Sequence, residues 1–386
     1  MKQPLRIALL GGGQLGRMFI ENALRYNAEV HVLDPDPDCP CAWLAQRYMQ
    51  GPFNDRDTVL RFAADADVVG IEIEHVSVEA MEELERQGKT VIPSPKVLRT
   101  IQDKGSQKQF YASHGIPSPP FAVIHDRSEI DAHPELLPGF LKTTTGGYDG
   151  KGVMPVQQGA DVPDGFKGPY VLEKRMAIDK ELAVIAVRGA DGSTLVYDPV
   201  EMVFDPTLNL VDVLRAPARC DKQVIERAMA LGRAVADAFG GTGIYAIEMF
   251  LTTDGELWVN ETAPRAHNSG HFTIEACASS QYDQLLRAYM GWPPGDVRMK
   301  GPAAMVNLVG EGGNGTPQLA GAREMLRTKD TFIHLYGKAQ TRTGRKMGHV
   351  TVTGTSEAEV DQAIAVVKEH GKVVPMTASH KEEQTT

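Results

Sequence analysis

Residues 5–34 run LRIALL-GGGQLGRMFIENALRY-NAEVHVLD, and the reading of this stretch decides the fold. Residues 5–10 are an apolar run of strand length. Gly11, Gly12 and Gly13 turn the chain. From Gln14 to about Tyr26 a helical pattern follows, with Leu15, Met18, Phe19 and Leu24 on one side. Residues 29–34 are the next strand. Strand, glycine turn, helix and strand together open a parallel α/β unit. Gly11, Gly13 and Gly16 have the spacing of a phosphate-binding turn, and Asp34 stands 18 residues beyond Gly16. Glycines let backbone N–H groups approach an anion, and a helix N-terminus favours negative charge. Any phosphate fits that description. A dinucleotide-dependent dehydrogenase, with Asp34 on a ribose, and a turn that merely packs both remain open at this point.

Outward from that stretch, residues 68–73 and 90–93 supply two more strands, and the first unit closes near Ser94-Pro95. The chain has 386 residues, enough for two or three domains. It is 42% hydrophobic and 23% charged, which excludes global disorder. A formal charge of −10 with no long Lys/Arg block argues against a nucleic-acid partner. No apolar run approaches the ~20 residues of a membrane helix, and the first residues read as a strand rather than a signal peptide. Cys39, Cys41, Cys220 and Cys277 have neither disulfide nor zinc-knuckle spacing. Reduced thiols and a cytoplasmic location are expected.

A Pro/Gly-rich break at residues 115–120 precedes a small β-rich unit reaching about residue 176. A helix is expected from Asp221, as cap, to Phe239, with Val224, Ile225, Ala228, Leu231 and Val235 as its stripe and Gly240 as its stop. Residues 244–251 and 256–261 flank Asp254-Gly255, a strong hairpin signal. Counting back from a two-residue turn puts Glu248 directly opposite Glu261. Like charges in that position are destabilising, so the pair shares a proton or bridges a cation. With no His or Cys beside them, Mg²⁺ is favoured over Zn²⁺, and Mn²⁺ would also suit.

Basic residues gather in glycine-rich loops. Lys142 ends a strand, and residues 146–152 carry Gly146, Gly147, Gly150 and Gly152 around Tyr148, Asp149 and Lys151. This is no P-loop, because Gly152 follows Lys151 where Ser or Thr should stand; it reads as a phosphate-covering flap. Glu173, Lys174, Arg175, Met176 and Glu181 sit at strand ends. Residues 263–271 hold Arg265, His267, Asn268 and His271, a group suited to a small oxyanion. Lys338, Arg342, Arg345, Lys346 and His349 crowd a later loop read as anion-binding. A last unit begins near Met299, with strands at residues 303–309 and 349–353.

Taken together, residues 11–17, 34–35 with Cys39-Pro40, 72–74, 146–152, 260–271 and 345–349 closely resemble the N5-carboxyaminoimidazole ribonucleotide synthetases, ATP-grasp ligases of purine biosynthesis. The likeness runs from about residue 5 to 354. It implies α/β and α+β architecture in three parts: a Rossmann-like parallel-sheet domain (1–95), a central ATP-grasp domain (96–297, with the flap-bearing part at about 119–176) and a small C-terminal β-rich domain (298–386). It implies that bicarbonate and 5-aminoimidazole ribonucleotide (AIR) are joined while ATP goes to ADP and phosphate, through carboxyphosphate, in a homodimer. By the same resemblance Lys104, Lys142, Gly147, Tyr148, Asp149, Gly150, Lys151, Gly152 and Val153 hold ATP phosphates. Glu173, Lys174, Arg175 and Met176 line adenine, Glu181 takes the ribose, and Asn260 lies beside the Glu248–Glu261 metal pair. Arg265, His267, Asn268 and Lys338 surround bicarbonate. Gln14, Leu15, Gly16, Tyr148, Asp149, Lys338 and Arg345 bind AIR, with Glu74 a further candidate. Phe204, Ala183 and Ala266 depart from the pattern, where relatives carry His, Ser and Pro. Another ATP-grasp ligase and a non-catalytic nucleotide-binding module are the remaining alternatives.

Overall fold

The aliphatic runs of the first hundred residues form a five-stranded sheet in the computed structural model, which describes residues 4–146, 152–159, 162–163, 165–208 and 210–376. The strands are β1 (Arg6–Leu10), β2 (Glu29–Asp34), β3 (Arg47–Gln50), β4 (Val68–Ile71) and β5 (Thr90–Ile92), interleaved with α1 (Gln14–Leu24), α2 (Arg56–Phe62) and α3 (Val78–Arg86). Their spatial order is β3-β2-β1-β4-β5, with every pairing parallel. The chain reverses direction of winding between β1 and β4, so a crevice opens beyond their carboxyl ends, where α/β sheets receive ligands. The α1 stripe differs from its expected membership. Met18, Phe19, Ile20 and Ala23 are buried, whereas Leu24, the last helical residue, is 54% exposed. Burying residues such as Phe19 and Ile20 contributes about 1.5–3 kcal/mol each.

Two short helices, α4 (Pro95–Gln102) and α5 (Lys104–Ser113), follow, capped by the Ser94 and Asp103 side chains. The strands β6 (Phe121–Ile124), β7 (Gly139–Thr143), β8 (Val153–Val156) and β9 (Tyr170–Lys174) make an antiparallel sheet in the order β6-β9-β7-β8.

The largest sheet takes β10 (Ile178–Arg188), β11 (Thr194–Val196), β12 (Val200–Asp205) and β13 (Leu210–Ala216). Helix α6 (Lys222–Phe239) follows, then β14 (Gly243–Thr252), β15 (Leu257–Ala263), α7 (Thr273–Ala276) and α8 (Gln281–Tyr289). The sheet continues through β16 (Ala303–Val309), and beyond β17 (Pro317–Ala320) and α9 (Ala322–Leu326) through β18 (Thr331–Leu335) and β19 (Lys346–Thr353); α10 (Glu357–His370) and β20 (Lys372–Pro375) complete the described chain. In space the order is β15-β14-β10-β12-β13-β16-β19-β18, so hydrogen bonding is continuous from the central unit into the last one. In α6, Gly240 ends the helix in the left-handed region as expected, but Asp221 makes no side-chain cap bond. One apolar cluster contains residues from both ends of the chain, with Ile7, Phe19, Ile185, Tyr289, Met305 and Tyr336 among them. Phe204 packs against its edge.

Candidate active site

The β14–β15 hairpin sets the centre of the site. Glu248 and Glu261 face each other as Cα partners, as counting from the turn requires, but two departures cancel to give that result. The turn is one residue wider than the two-residue form, so Leu251 pairs with Leu257 and Met249 with Val259. Gly255 there adopts φ +84°, which a glycine accepts without strain. A bulge then follows between Glu248 and Met249, where Asn260 is the extra residue on β15 and the register shifts back. The bulge therefore does two things: it restores the carboxylate pair and turns out an amide next to it.

Three elements bring polar side chains to this centre. Lys104, the first residue of α5, puts Nζ 2.7 Å from Glu261 Oε2. Lys142 on β7 donates from Nζ to Glu173 Oε1 at 2.8 Å and to Asn260 Oδ1 at 3.3 Å. His267, after β15, lies with Nε2 3.8 Å from Glu248 Oε1. Burial, the Glu261 charge and Glu181 all push the Glu248 carboxyl up, whereas Lys104 holds Glu261 low. Burial, with Arg265 and Lys346 nearby, pushes the His267 imidazole down to about 4, so it is neutral at pH 7. Glu181 on β10 is raised by burial, against Lys142. The donors are hard oxygens. Among the described residues no group of three His, Cys, Asp or Glu gathers in metal-binding geometry. The carboxylate pair therefore fits a cation that takes its other ligands from phosphate and water, as Mg²⁺ does.

The N-terminal unit reaches the same centre through Glu74, whose Oε1 lies 2.8 Å from Arg265 Nε. Its glycine turn is already filled by the protein. Gly12 N donates to Asp34 Oδ2 at 2.7 Å, and Leu15 N donates to Glu72 Oε1 at 3.1 Å. Glu72 thus takes the anion position at the N-terminus of α1, and a Cβ on Gly13 would fall 2.5 Å from its Oε1. Burial raises the Glu72 carboxyl to about 7. Asp34, with its oxygens committed to Gly12 N and Asp36 N, is not presented to a ribose. The dehydrogenase alternative loses its ligand groups for this reason.

The remaining sequence candidates divide. Gly152 accepts a bond from Thr143 N, and Val153 opens β8 beside Lys142. Gly147, Tyr148, Asp149, Gly150 and Lys151 lie outside the described residues. Lys174 and Arg175 are exposed, while Met176 is half-buried. Asn268 is buried in a reciprocal amide pair with Asn307, at 3.0 and 3.1 Å. His271 is also apart, stacked 4.7 Å from His349, so the residue 263–271 cluster delivers His267 to Glu248 and Arg265 to Glu74 and turns the other two inward. Lys338 Nζ donates to Lys346 O at 2.6 Å and sits 5.5 Å from the Tyr336 ring centroid. Arg345 donates to Gln340 O at 2.6 Å. Arg17, from α1, stacks 5.5 Å from the Trp43 centroid and abuts Gly337, so the turn around Gln14 and Gly16 meets the Lys338 loop. Sequence reading missed Glu72 as a ligand of the turn, and it missed Lys108. The one available signal for Lys108 was its place one helical turn after Lys104.

Three family models match in succession: a ribonucleotide synthetase preATP-grasp domain over residues 4–102, an ATP-grasp domain over 109–282 and a phosphoribosylaminoimidazole carboxylase C-terminal domain over 303–363. The chain is 36% identical over 379 residues to the chloroplastic phosphoribosylaminoimidazole carboxylase of Vigna aconitifolia, with 94% of this chain matched; it spans 66% of that protein's length. Its fold is similar to that of N5-carboxyaminoimidazole ribonucleotide synthetase from Thermotoga maritima, with a TM-score of 0.88 at 37% identity, covering 96% of this chain and 100% of the other. It is also similar to the Aspergillus clavatus N5-carboxyaminoimidazole synthase in complex with ADP and 5-aminoimidazole ribonucleotide, with a TM-score of 0.85 at 34% identity, covering 96% and 99%.

Proposed function

The chain belongs to the N5-carboxyaminoimidazole ribonucleotide synthetase family of ATP-grasp enzymes, and from that premise we propose that it carboxylates AIR with bicarbonate at the expense of ATP. The observation that carries this reading is the convergence, from three separate elements, of Lys104 and His267 on the facing Glu248–Glu261 pair and of Lys142 on Asn260 beside it. That is an arrangement for polyphosphate and a divalent cation.

Bicarbonate must be activated before an amine can take its carbon. A bicarbonate oxygen attacks the γ-phosphorus of ATP, the bond to the ADP oxygen breaks, and carboxyphosphate forms. The AIR amine nitrogen then bonds to the carboxyl carbon, the carbon–oxygen bond to phosphate breaks, and the amine proton goes to His267 or to a phosphate oxygen. Phosphoryl transfer depends on positioning and charge neutralisation more than on covalent help from the protein. Lys142 and Lys104 supply fixed positive charge, and Lys151 is the flap's contribution in this reading. Glu248 and Glu261, with Asn260 alongside, would hold Mg²⁺, which when bound offsets the charge of the phosphate oxygens. Arg265 is oriented by Glu74 toward the bicarbonate side, and neutral His267 offers a hydrogen-bonding nitrogen there. Lys338, Arg345 and the turn at Gln14 would take the ribonucleotide phosphate. A homodimer and a cytoplasmic location complete the reading, the first checked by sedimentation.

A coupled ADP assay decides the function. ADP should accumulate only when ATP, Mg²⁺, bicarbonate and AIR are all present. Equal ADP release with AIR omitted, or with glycinamide ribonucleotide in its place, overturns the assignment.

A further inference from the structure

Helix α5 carries a second lysine toward the nucleotide side of the site. Lys104 and Lys108 are four residues apart and therefore share one helix face. Lys108 Nζ lies 2.6 Å from Glu173 Oε2, and the two side chains are only 5% and 3% exposed. The other oxygen of the same carboxylate, Oε1, accepts from Lys142 Nζ at 2.8 Å. Glu173 is thus a bridge between two ammonium groups, one beneath the site and one at its edge. Burial alone would raise the Glu173 carboxyl, but Lys142 and Lys108 together hold it below the ordinary carboxylate range.

The rest of α5 does not depend on this contact. Gln107 Nε2 donates to Thr262 O, and Thr262 N donates to Gln107 Oε1, both at 3.1 Å. Tyr111 Oη donates to Thr262 Oγ1 at 2.7 Å. These neutral bonds and the Lys104–Glu261 pair pin the helix to β15, so the Lys108 charge is left to act on Glu173 rather than to hold the fold.

We infer that Lys108 is a positioning residue for nucleotide binding: its ammonium keeps the Glu173 carboxylate ionised and oriented, and that carboxylate sets Lys142 Nζ where it meets the nucleotide phosphates. The inference rests on the reading of Lys142 as a nucleotide ligand. The charged groups around Lys108 are Glu173 of β9, Lys142 of β7 and Glu261 of β15. Burial pushes the Lys108 ammonium down to about 8, with Lys142 in the same direction and Glu173 opposing. Above that value the free enzyme loses the cation, so nucleotide affinity should decline there.

The experiment measures ADP binding in the presence of Mg²⁺, by equilibrium dialysis between about pH 7 and 9.5, for wild type, Lys108→Met and Lys108→Arg. Wild-type affinity should fall about tenfold as pH rises past the Lys108 titration. Lys108→Met should bind about tenfold more weakly already at neutral pH, without a further fall, and Lys108→Arg should recover affinity and abolish the alkaline decline. A flat wild-type profile overturns the inference, as does a folded Lys108→Met enzyme with wild-type affinity at neutral pH. Should Lys108→Met fail to fold, the wild-type and Lys108→Arg profiles decide alone. Wild type that shows the decline in ADP binding but makes no ADP when AIR is added overturns the functional reading and not this one.

Discussion

Two turns in this molecule each gather groups that call for a counter-charge, and they differ in how the protein answers them. The glycine turn after β1 offers N–H groups at a helix N-terminus, and the chain fills them itself with Asp34 and Glu72. The β14–β15 hairpin offers two carboxylates face to face, with Lys104 on Glu261, a neutral imidazole 3.8 Å from Glu248, and the charges of Lys346 and Lys104 offsetting only part of the push that burial and Glu261 exert on Glu248. A charge answered within the fold is structure. A buried charge left unbalanced is held for something that arrives later.

The sharpest way to break this contrast is at the hairpin. Glu261→Gln should lower AIR-dependent ADP formation by about 10²–10³-fold in the coupled assay, since it removes half of the cation site and frees Lys104. Retention of the wild-type rate would place the cation elsewhere. Where the two regions meet, Arg265→Met leaves Glu74 without its partner and should cost about 2–4 kcal/mol in urea unfolding, part of it recovered in the Arg265→Met/Glu74→Gln double variant. The absence of recovery would show that the pair is not coupled. At the Asp34 side of the glycine turn the effect should be on stability, with ATP binding untouched. Asp34→Ala orphans Gly12 N and should cost about 1–3 kcal/mol while the KM for ATP stays at its wild-type value. A raised KM would return the turn to the nucleotide site.

The smallest effect has a sign set by pH. The Glu72 carboxyl titrates near 7 in the folded chain against 4.5 for the free group. Its raised value means that folding favours the protonated form. That contribution is fully present below about 4.5 and is lost as pH rises through about 7. Glu72→Gln, whose amide oxygen can still accept from Leu15 N, should therefore be more stable than wild type by about 1–2 kcal/mol at pH 8, with no gain at pH 4. Equal thermal melts at pH 8 would mean that Glu72 is not buried as a charge.

Much of the fold was legible because period and punctuation are local. The runs at residues 5–10 and 29–34, the α6 stripe with Gly240 and the Asp254-Gly255 hairpin all follow from neighbours a few positions apart. The error at Leu24 is of the kind local reading makes, since the period marks a face but not where burial along it ends. The hairpin is the instructive case. A wider turn and a bulge at Asn260 both departed from the simple count, and the pair came out right because one departure undid the other.

By itself, the sequence determined the element types, the parallel start of the sheet and the β14–β15 hairpin, because each is set by backbone periodicity or by a turn between adjacent strands. Only the tertiary structure decided the partner of each charge. Lys104 finds Glu261 across 157 positions, Lys142 finds Glu173 across 31, and Asn268 turns away from its cluster to Asn307. Hydrophobic burial brings such residues together through the packing of whole elements, and no spacing rule records which polar groups meet when those elements close.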